Sequence, residues 1–241
     1  MTVFWHLLFA HLLADFVLHG NRTFDLKRRI PALGYLLHGS IYFACLAVCT
    51  WPFLNIPWVE TYYYSLNGWS TVFLLALMHS LADMINRADV MELEGCNTAM
   101  FLCWQLIEIL MLFVAFPLMP AGALPLKRYL LGGELLLVVN GSLFVTYFIM
   151  VFIHLLSRDF LDGAYPTLDE KYLSMLYRLV FFLLFLLPGW YGYVLGFAWG
   201  GWAVYYNTYN RSRTIDDSSL RVIVGSTAAV IFGITTRLLL Y

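Results

Sequence analysis

The feature that most limits what this chain can fold into is the recurrence of apolar runs long enough to cross a hydrocarbon core. Segmentation at breakers and polar turns gives candidate helices at 2–19, 31–51, 68–86, 98–119, 130–156, 178–206 and 222–241. A crossing helix needs about 20 residues. Within lipid every backbone N–H and C=O must also be satisfied inside the segment, so repeated runs of this kind fold as helices. Composition agrees, since 61% of the 241 residues are hydrophobic, only 12% are charged and mean hydropathy is +0.75. The expected fold is all-α, a polytopic transmembrane bundle of about seven spans with no extramembrane domain.

The connections between these runs are short. They comprise a basic turn, "NRTFDLKRRIP" (21–31), a Pro- and aromatic-rich loop (51–68) and an acidic turn, "RADVMELEG" (87–95). They continue with "PAGALPLKR" (120–128), the polar stretch "SRDFLDGAYPTLDEK" (157–171) and "NTYNRSRTIDDSS" (207–219). Basic residues resist translocation, and Lys and Arg are biased towards the loops that follow odd-numbered spans. That bias places the N-terminus outside and the first loop in the cytoplasm, as expected of an integral protein of a bacterial cytoplasmic membrane. The apolar start carries His6, His11 and Asp15 and lacks a basic leader, so it reads as the first span rather than a signal peptide. A formal net charge of −1 without a long basic run argues against nucleic-acid binding. Membrane lipids, small solutes and other membrane proteins are the expected partners. The four cysteines lie in or beside apolar segments and imply no disulfide framework.

Two phrases match each other. "HLLADFVLHGNR" (11–22) and "HSLADMINR" (79–87) each close an odd-numbered span with a His-x-x-x-Asp pair and run into Asn-Arg. Spans one and three point the same way through the membrane, so the similarity predicts a parallel duplication of helical hairpins. The domain division expected from this is a four-helix bundle over 1–120 and three further spans over 121–241.

On a helix, residues four apart share a face about 6 Å apart. His11 with Asp15 and His79 with Asp83 therefore form two stripes, and His19 extends the first. Counting about 1.5 Å per residue from the cytoplasmic ends puts both pairs at one depth, together with His38 on the second span and Gln105 and Glu108 on the fourth. Ionisable groups at that depth are costly and face a bundle interior or a wet cavity. Three arrangements satisfy them: a divalent metal site, a proton or ion relay, or hydrogen bonds that join helices. For the first, His11, Asp15, His38, His79 and Asp83 are the candidate ligands of zinc, manganese or iron, whose bound water would ionise near neutral pH. Glu108 is then the candidate general base, and Gln105 would orient water or substrate. Arg22, Lys27, Arg28 and Arg29 read as a headgroup anchor and candidate phosphate-binding set. His6 and His154 read as structural, Glu134 as a boundary residue, and Asp159 and Asp162 as part of a solvated turn.

"HLLADFVLH", the turn containing Lys27, "LLHG" (36–39), "HSLAD" and "WQLIE" (104–108) together resemble a bacterial and phage integral-membrane family of unknown function. Its members open with a His-Leu-Leu-Ala-Asp-Phe helix. The resemblance covers about the first 120 residues. The family tends to carry Gln where this chain has His19. Its fourth helix tends to carry Asp-Gln-x-x-His where this chain has Trp104, Gln105 and Glu108, which removes one potential ligand. More distantly, the arrangement is similar to membrane-bound metal-dependent hydrolases with intramembrane His and Asp ligands. That similarity implies hydrolysis of a lipid-phosphate or lipid-ester substrate. The competing class is non-enzymatic: a transporter or ion-handling subunit, or a membrane protein that binds and modulates a partner, with a structural polar layer. A transporter calls for broken helices, and Pro188-Gly189 is the one such interruption in the sequence.

Overall fold

The computed structural model describes residues 2–19, 21–60, 63, 65–85, 97–115, 132–161, 168–210 and 215–241. The chain divides into two compact units. The first comprises Met1–Leu93 with Met100–Leu136, and the second Glu94–Ala99 with Leu137–Tyr241.

The first unit begins with α1 (Thr2–Leu12), which runs on into a π-helical turn, Leu13–Val17. The basic segment expected as a turn is instead a short helix, α2 (Asn21–Arg29). Thr23 and Lys27, one turn apart, are buried, whereas Asp25, Arg28 and Arg29 are exposed, so the segment is amphipathic in the helical period. Pro31 forces the preceding Ile30 out of the helical region, at φ −135° and ψ 81°, and opens α3 (Pro31–Cys49) at its first turn. Gly34 seats α2 on α3, because a Cβ there would overlap the Lys27 backbone. The loop over 51–68 holds a 3₁₀ turn (Trp51–Phe53) and an antiparallel pair, β1 (Pro57–Glu60) and β2 (Ser65–Asn67), a small departure from an all-α chain. Asn67 then caps α4 (Gly68–Ile85), its side-chain oxygen accepting from the Ser70 N–H. The unit closes with α5 (Asn97–Ala115), whose first turn groups with the second unit.

Leu7, Leu46, Val72 and Leu112 bring α1, α3, α4 and α5 into one core, extended by Phe53 and Trp58 from the connection. The helices α3 and α4 meet at Gly39, where a Cβ would overlap Ser80 Oγ. Such small-residue contacts let helix backbones approach closely where lipid removes the usual hydrophobic drive. Burial runs opposite to that of a water-soluble bundle. Leu36, Val48, Phe73, Leu106 and Val114 are exposed, while His11, His38, His79 and Glu108 are buried. Lipid solvates the first group, and the bundle interior holds the second.

The second unit contains most of α6 (Gly133–Leu143), a π turn (Phe144–Phe148), α7 (Ile149–Leu161), α8 (Leu168–Phe185), α9 (Tyr191–Asn210) and α10 (Ile215–Leu240). Val145, Phe181, Phe182, Phe185 and Ala229 form its core. The single span expected over 178–206 is two helices. Pro188 cannot continue α8, and Gly189 takes a left-handed φ of 66°, so the chain turns before Tyr191. The polar stretch 157–171 is shorter than expected, because α7 continues to Leu161 and α8 resumes at Leu168. Asp159 accepts from the Asn97 side chain at 2.9 Å and from the Thr98 N–H at 2.7 Å, thus capping the first turn of α5 rather than lying in a solvated turn. Asp162 lies outside the described residues.

Among the described residues five helices are long and apolar enough to cross a membrane: α3, α4, α5, the continuous stretch Gly133–Leu161, and Arg221–Leu240 within α10. Val3–Val17 is a shorter apolar helix. The protein is a helical membrane protein.

Candidate metal centre

Four helices of the first unit each contribute side chains to one buried cluster. The helix α1 with its π turn supplies His11 and Asp15, α3 supplies His38, α4 supplies His79 and Asp83, and α5 supplies Gln105 and Glu108. The two His-x-x-x-Asp pairs sit on different backbones, since Asp15 lies in the π turn whereas Asp83 lies in regular α-helix. A π turn widens the helix locally and is a frequent device at functional sites.

Three donor atoms converge. His38 Nε2 and His79 Nε2 are 3.1 Å apart, and Asp15 Oδ1 lies 3.4 Å from the first and 3.3 Å from the second. Buried Asp15 Oδ1 has no aligned hydrogen bond although two ring nitrogens flank it. Metal bonds of about 2.0–2.1 Å in a tetrahedral shell separate neighbouring donors by about 3.3–3.4 Å, so this triangle has the dimensions of one face of such a shell. Asp83 Oδ2 stands 3.8 Å from His38 Nε2 and also meets the Lys27 ammonium. His38, His79 and Asp83 form one group able to hold a cation, and His11, Asp15, His79 and Glu108 form another that shares His79.

The remaining polar groups brace this face. His79 turns Nδ1 towards Glu108 Oε1 at 3.1 Å, without an aligned hydrogen bond. His11 lies with Nδ1 3.6 Å from Asp15 Oδ2, and with Nε2 3.4 Å from Gln105 Oε1 and 3.8 Å from Glu108 Oε2. Gln105 Nε2 donates to Glu108 Oε2 at 3.0 Å. An imidazole whose far nitrogen meets a carboxylate is the usual outer support of a metal ligand. The five expected ligands and both expected helpers thus come together, but His11 faces the bracing groups while His38 faces the triangle.

Tyr42 belongs to the site and was not among the expected residues. Its ring stacks on His79 with centroids 3.8 Å apart and planes 5° apart, and its hydroxyl lies 3.4 Å from His11 Nδ1. The signal was present in the sequence, because Tyr42 is four residues from His38 on α3. His19, just past the end of the first helix, places its ring 4.4 Å from that of His38.

Of the basic residues expected to act together, the three with described side chains separate. Lys27 is buried, donates to Asp83 Oδ2 at 2.5 Å and lies 5.3 Å from the Tyr35 ring centroid. Arg28 and Arg29 are exposed, and the side chain of Arg22 lies outside the described residues. Of the histidines read as structural, His6 is buried against Phe53 and His154 lies on α7 of the second unit. Glu134 lies in the first turn of α6. Comparison of the chain with protein-family models, with characterised proteins and with solved structures returns no match, so the geometry of this cluster carries the functional reading.

Proposed function

We propose that the first unit holds a divalent cation, zinc, manganese or iron, between His38, His79, Asp15 and Asp83, and uses it to hydrolyse a lipid-borne phosphate or ester. The observation that carries this reading is the triangle of His38 Nε2, His79 Nε2 and Asp15 Oδ1, with edges of 3.1–3.4 Å. Charge supports it. Three carboxylates, Asp15, Asp83 and Glu108, share the cluster with one ammonium, Lys27, an excess of carboxylate donors that suits a divalent cation.

A cation there supplies polarisation of a phosphoryl or acyl oxygen and hydroxide near neutral pH. The chain's own residues do the rest. Glu108 lies within reach of both His79 Nδ1 and His11 Nε2, so it fixes the His79 ring and takes up a proton from the site. Gln105 anchors Glu108. Tyr42 holds the His79 plane by stacking. Exposed Arg28 and Arg29 on α2 attract an anionic headgroup at the cytoplasmic surface. In this reading the N-terminus lies outside a bacterial cytoplasmic membrane, and α1 with α3 and α4 with α5 are the duplicated hairpins.

Elemental analysis of the purified protein tests the reading. Near-stoichiometric zinc, manganese or iron in the wild type, lost in both His79→Ala and Asp83→Ala, is the expected result. A wild type that is folded, functional and metal-free sinks it, and leaves the polar layer as the structural join of a non-enzymatic membrane subunit. A loaded protein then goes to a hydrolysis screen with phosphatidate and lipid-ester substrates, in which product formation separates an enzyme from a metal-stabilised scaffold.

A further inference from the structure

Outside the candidate metal centre, the second unit buries a charge that no carboxylate among the described residues neutralises. Arg178, on α8, is 2% exposed and is the bulkiest of the fully buried side chains. Its Nη1 donates to Ser174 Oγ at 3.1 Å, one turn back, and its Nη2 donates to the Thr146 carbonyl at 3.1 Å. The buried Nε has no hydrogen-bond partner. A guanidinium carries five N–H donors, so these two bonds leave most of them unused. Among the described residues the only ionisable neighbour is Tyr177, whose hydroxyl is engaged with Ser226 Oγ at 2.8 Å, and no carboxylate pairs with the arginine.

The surroundings are shaped for the group. Thr146 lies in the π turn Phe144–Phe148 that interrupts the helix from Gly133 to Leu161, a local widening of the kind found at functional sites. Gly225 on α10 leaves room for the side-chain stem, because a Cβ there would come within 3.0 Å of Arg178 Cδ. Phe181, Phe182, Val145 and Ala229 make the adjoining core apolar. A buried cation without a counter-charge is among the most destabilising things a fold can contain. Neutral partners meet only part of its demand.

We propose that Arg178 anchors an anion site inside the second unit, built for a carboxylate or phosphate that presents two oxygens to the guanidinium. The unused Nε–H lies on the edge of the fork where arginine holds an oxyanion bidentately. The apolar core beside it suits an oxyanion carried on an acyl chain, a fatty-acid carboxylate or a lipid phosphate. Inorganic phosphate is the other source of the same chemistry. The site lies within the second unit and does not depend on the metal centre.

The test is thermal unfolding of the full-length protein in neutral detergent at fixed salt, followed by tryptophan fluorescence. Trp199 stacks on Tyr177, the residue next to Arg178, so a reporter lies close by. Laurate is expected to raise Tm saturably by several degrees, as a ligand specific to the folded state does, and its uncharged methyl ester is expected to leave Tm unchanged. A shift with inorganic phosphate but not laurate assigns the site to the free anion. Arg178→Lys, which keeps the charge but loses the two-pronged edge, is expected to weaken the effect at least tenfold in ligand concentration. Equal shifts from laurate and methyl laurate, no shift from either anion, or an unchanged response in R178K would each overturn the proposal. Should R178K not fold, the wild-type contrast between laurate and its ester decides alone.

Discussion

His38 and His11 are both fully enclosed imidazoles, yet they meet different neighbours. His38 Nε2 faces His79 Nε2 and Asp15 Oδ1, whereas His11 spans Asp15 on one side and Gln105 with Glu108 on the other. Removing a donor of the triangle and removing a brace should therefore differ in degree. His38→Ala is expected to abolish stoichiometric metal, and His11→Ala to weaken affinity by about 10–100-fold, as outer-sphere changes do. Competition with a chromophoric chelator measures both; equal effects would mean that His11 ligates directly. Lys27 gives a test of opposite sign. Its ammonium holds Asp83 and repels a nearby cation, so Lys27→Gln should tighten metal binding about tenfold while Lys27→Arg should not. Weaker binding in K27Q would instead make Lys27 the residue that orients Asp83. At this scale much of the cluster was legible from residue type and helical spacing alone. The division between donors and braces was not, because it depends on which ring nitrogen faces which atom. Spacing also could not separate Lys27 from its neighbouring arginines, since their separation comes from the rotation of α2 about its own axis.

The contact between α3 and α4 sets the distance between two of the donors. Gly39 follows His38, Ser80 follows His79, and at their meeting point a Cβ on Gly39 would overlap Ser80 Oγ while lying 3.4 Å from Ser80 Cβ. Gly39→Ala should force the helices apart and destabilise the protein by about 1–3 kcal/mol, the usual cost of overpacking. Ser80→Ala, which removes the obstructing oxygen, should recover most of that loss in the double variant. A double-mutant cycle in urea or heat measures the coupling, and additive losses would show that the two residues do not share the contact. None of this is visible in sequence, where Gly39 is one of 17 glycines. The apolar runs behind α3, α4 and α5 stand out because a span must be apolar along its whole length. The segments where the expectation differed are those where local chemistry competes with that pattern. Basic residues disguised α2 as a turn, although its buried Thr23 and Lys27 keep the helical period. The π turn around Asp15 leaves no compositional trace, since an extra residue in a wide turn looks like any other apolar residue.

For the molecule as a whole, apolar surface outside and ionisable groups inside make lipid the solvent that the fold requires. The turn at Gly189 then bears on which compartment receives each loop. Were 178–206 one crossing, Arg211 and Arg213 would fall on the same side as Lys127 and Arg128, against the tendency of basic residues to stay in the cytoplasm. Counting α8 and α9 as separate crossings reverses the parity of everything downstream. On that count Arg221 would share the side of the basic first loop and Arg237 would lie opposite it. The C-terminus then emerges on the same side as the N-terminus. A phosphatase fused after Tyr241 should be active and a fluorescent protein at the same place dark; the opposite pattern would restore the odd count. If α8 and α9 both cross, the left-handed turn at Gly189 sets the compartment that receives Tyr241.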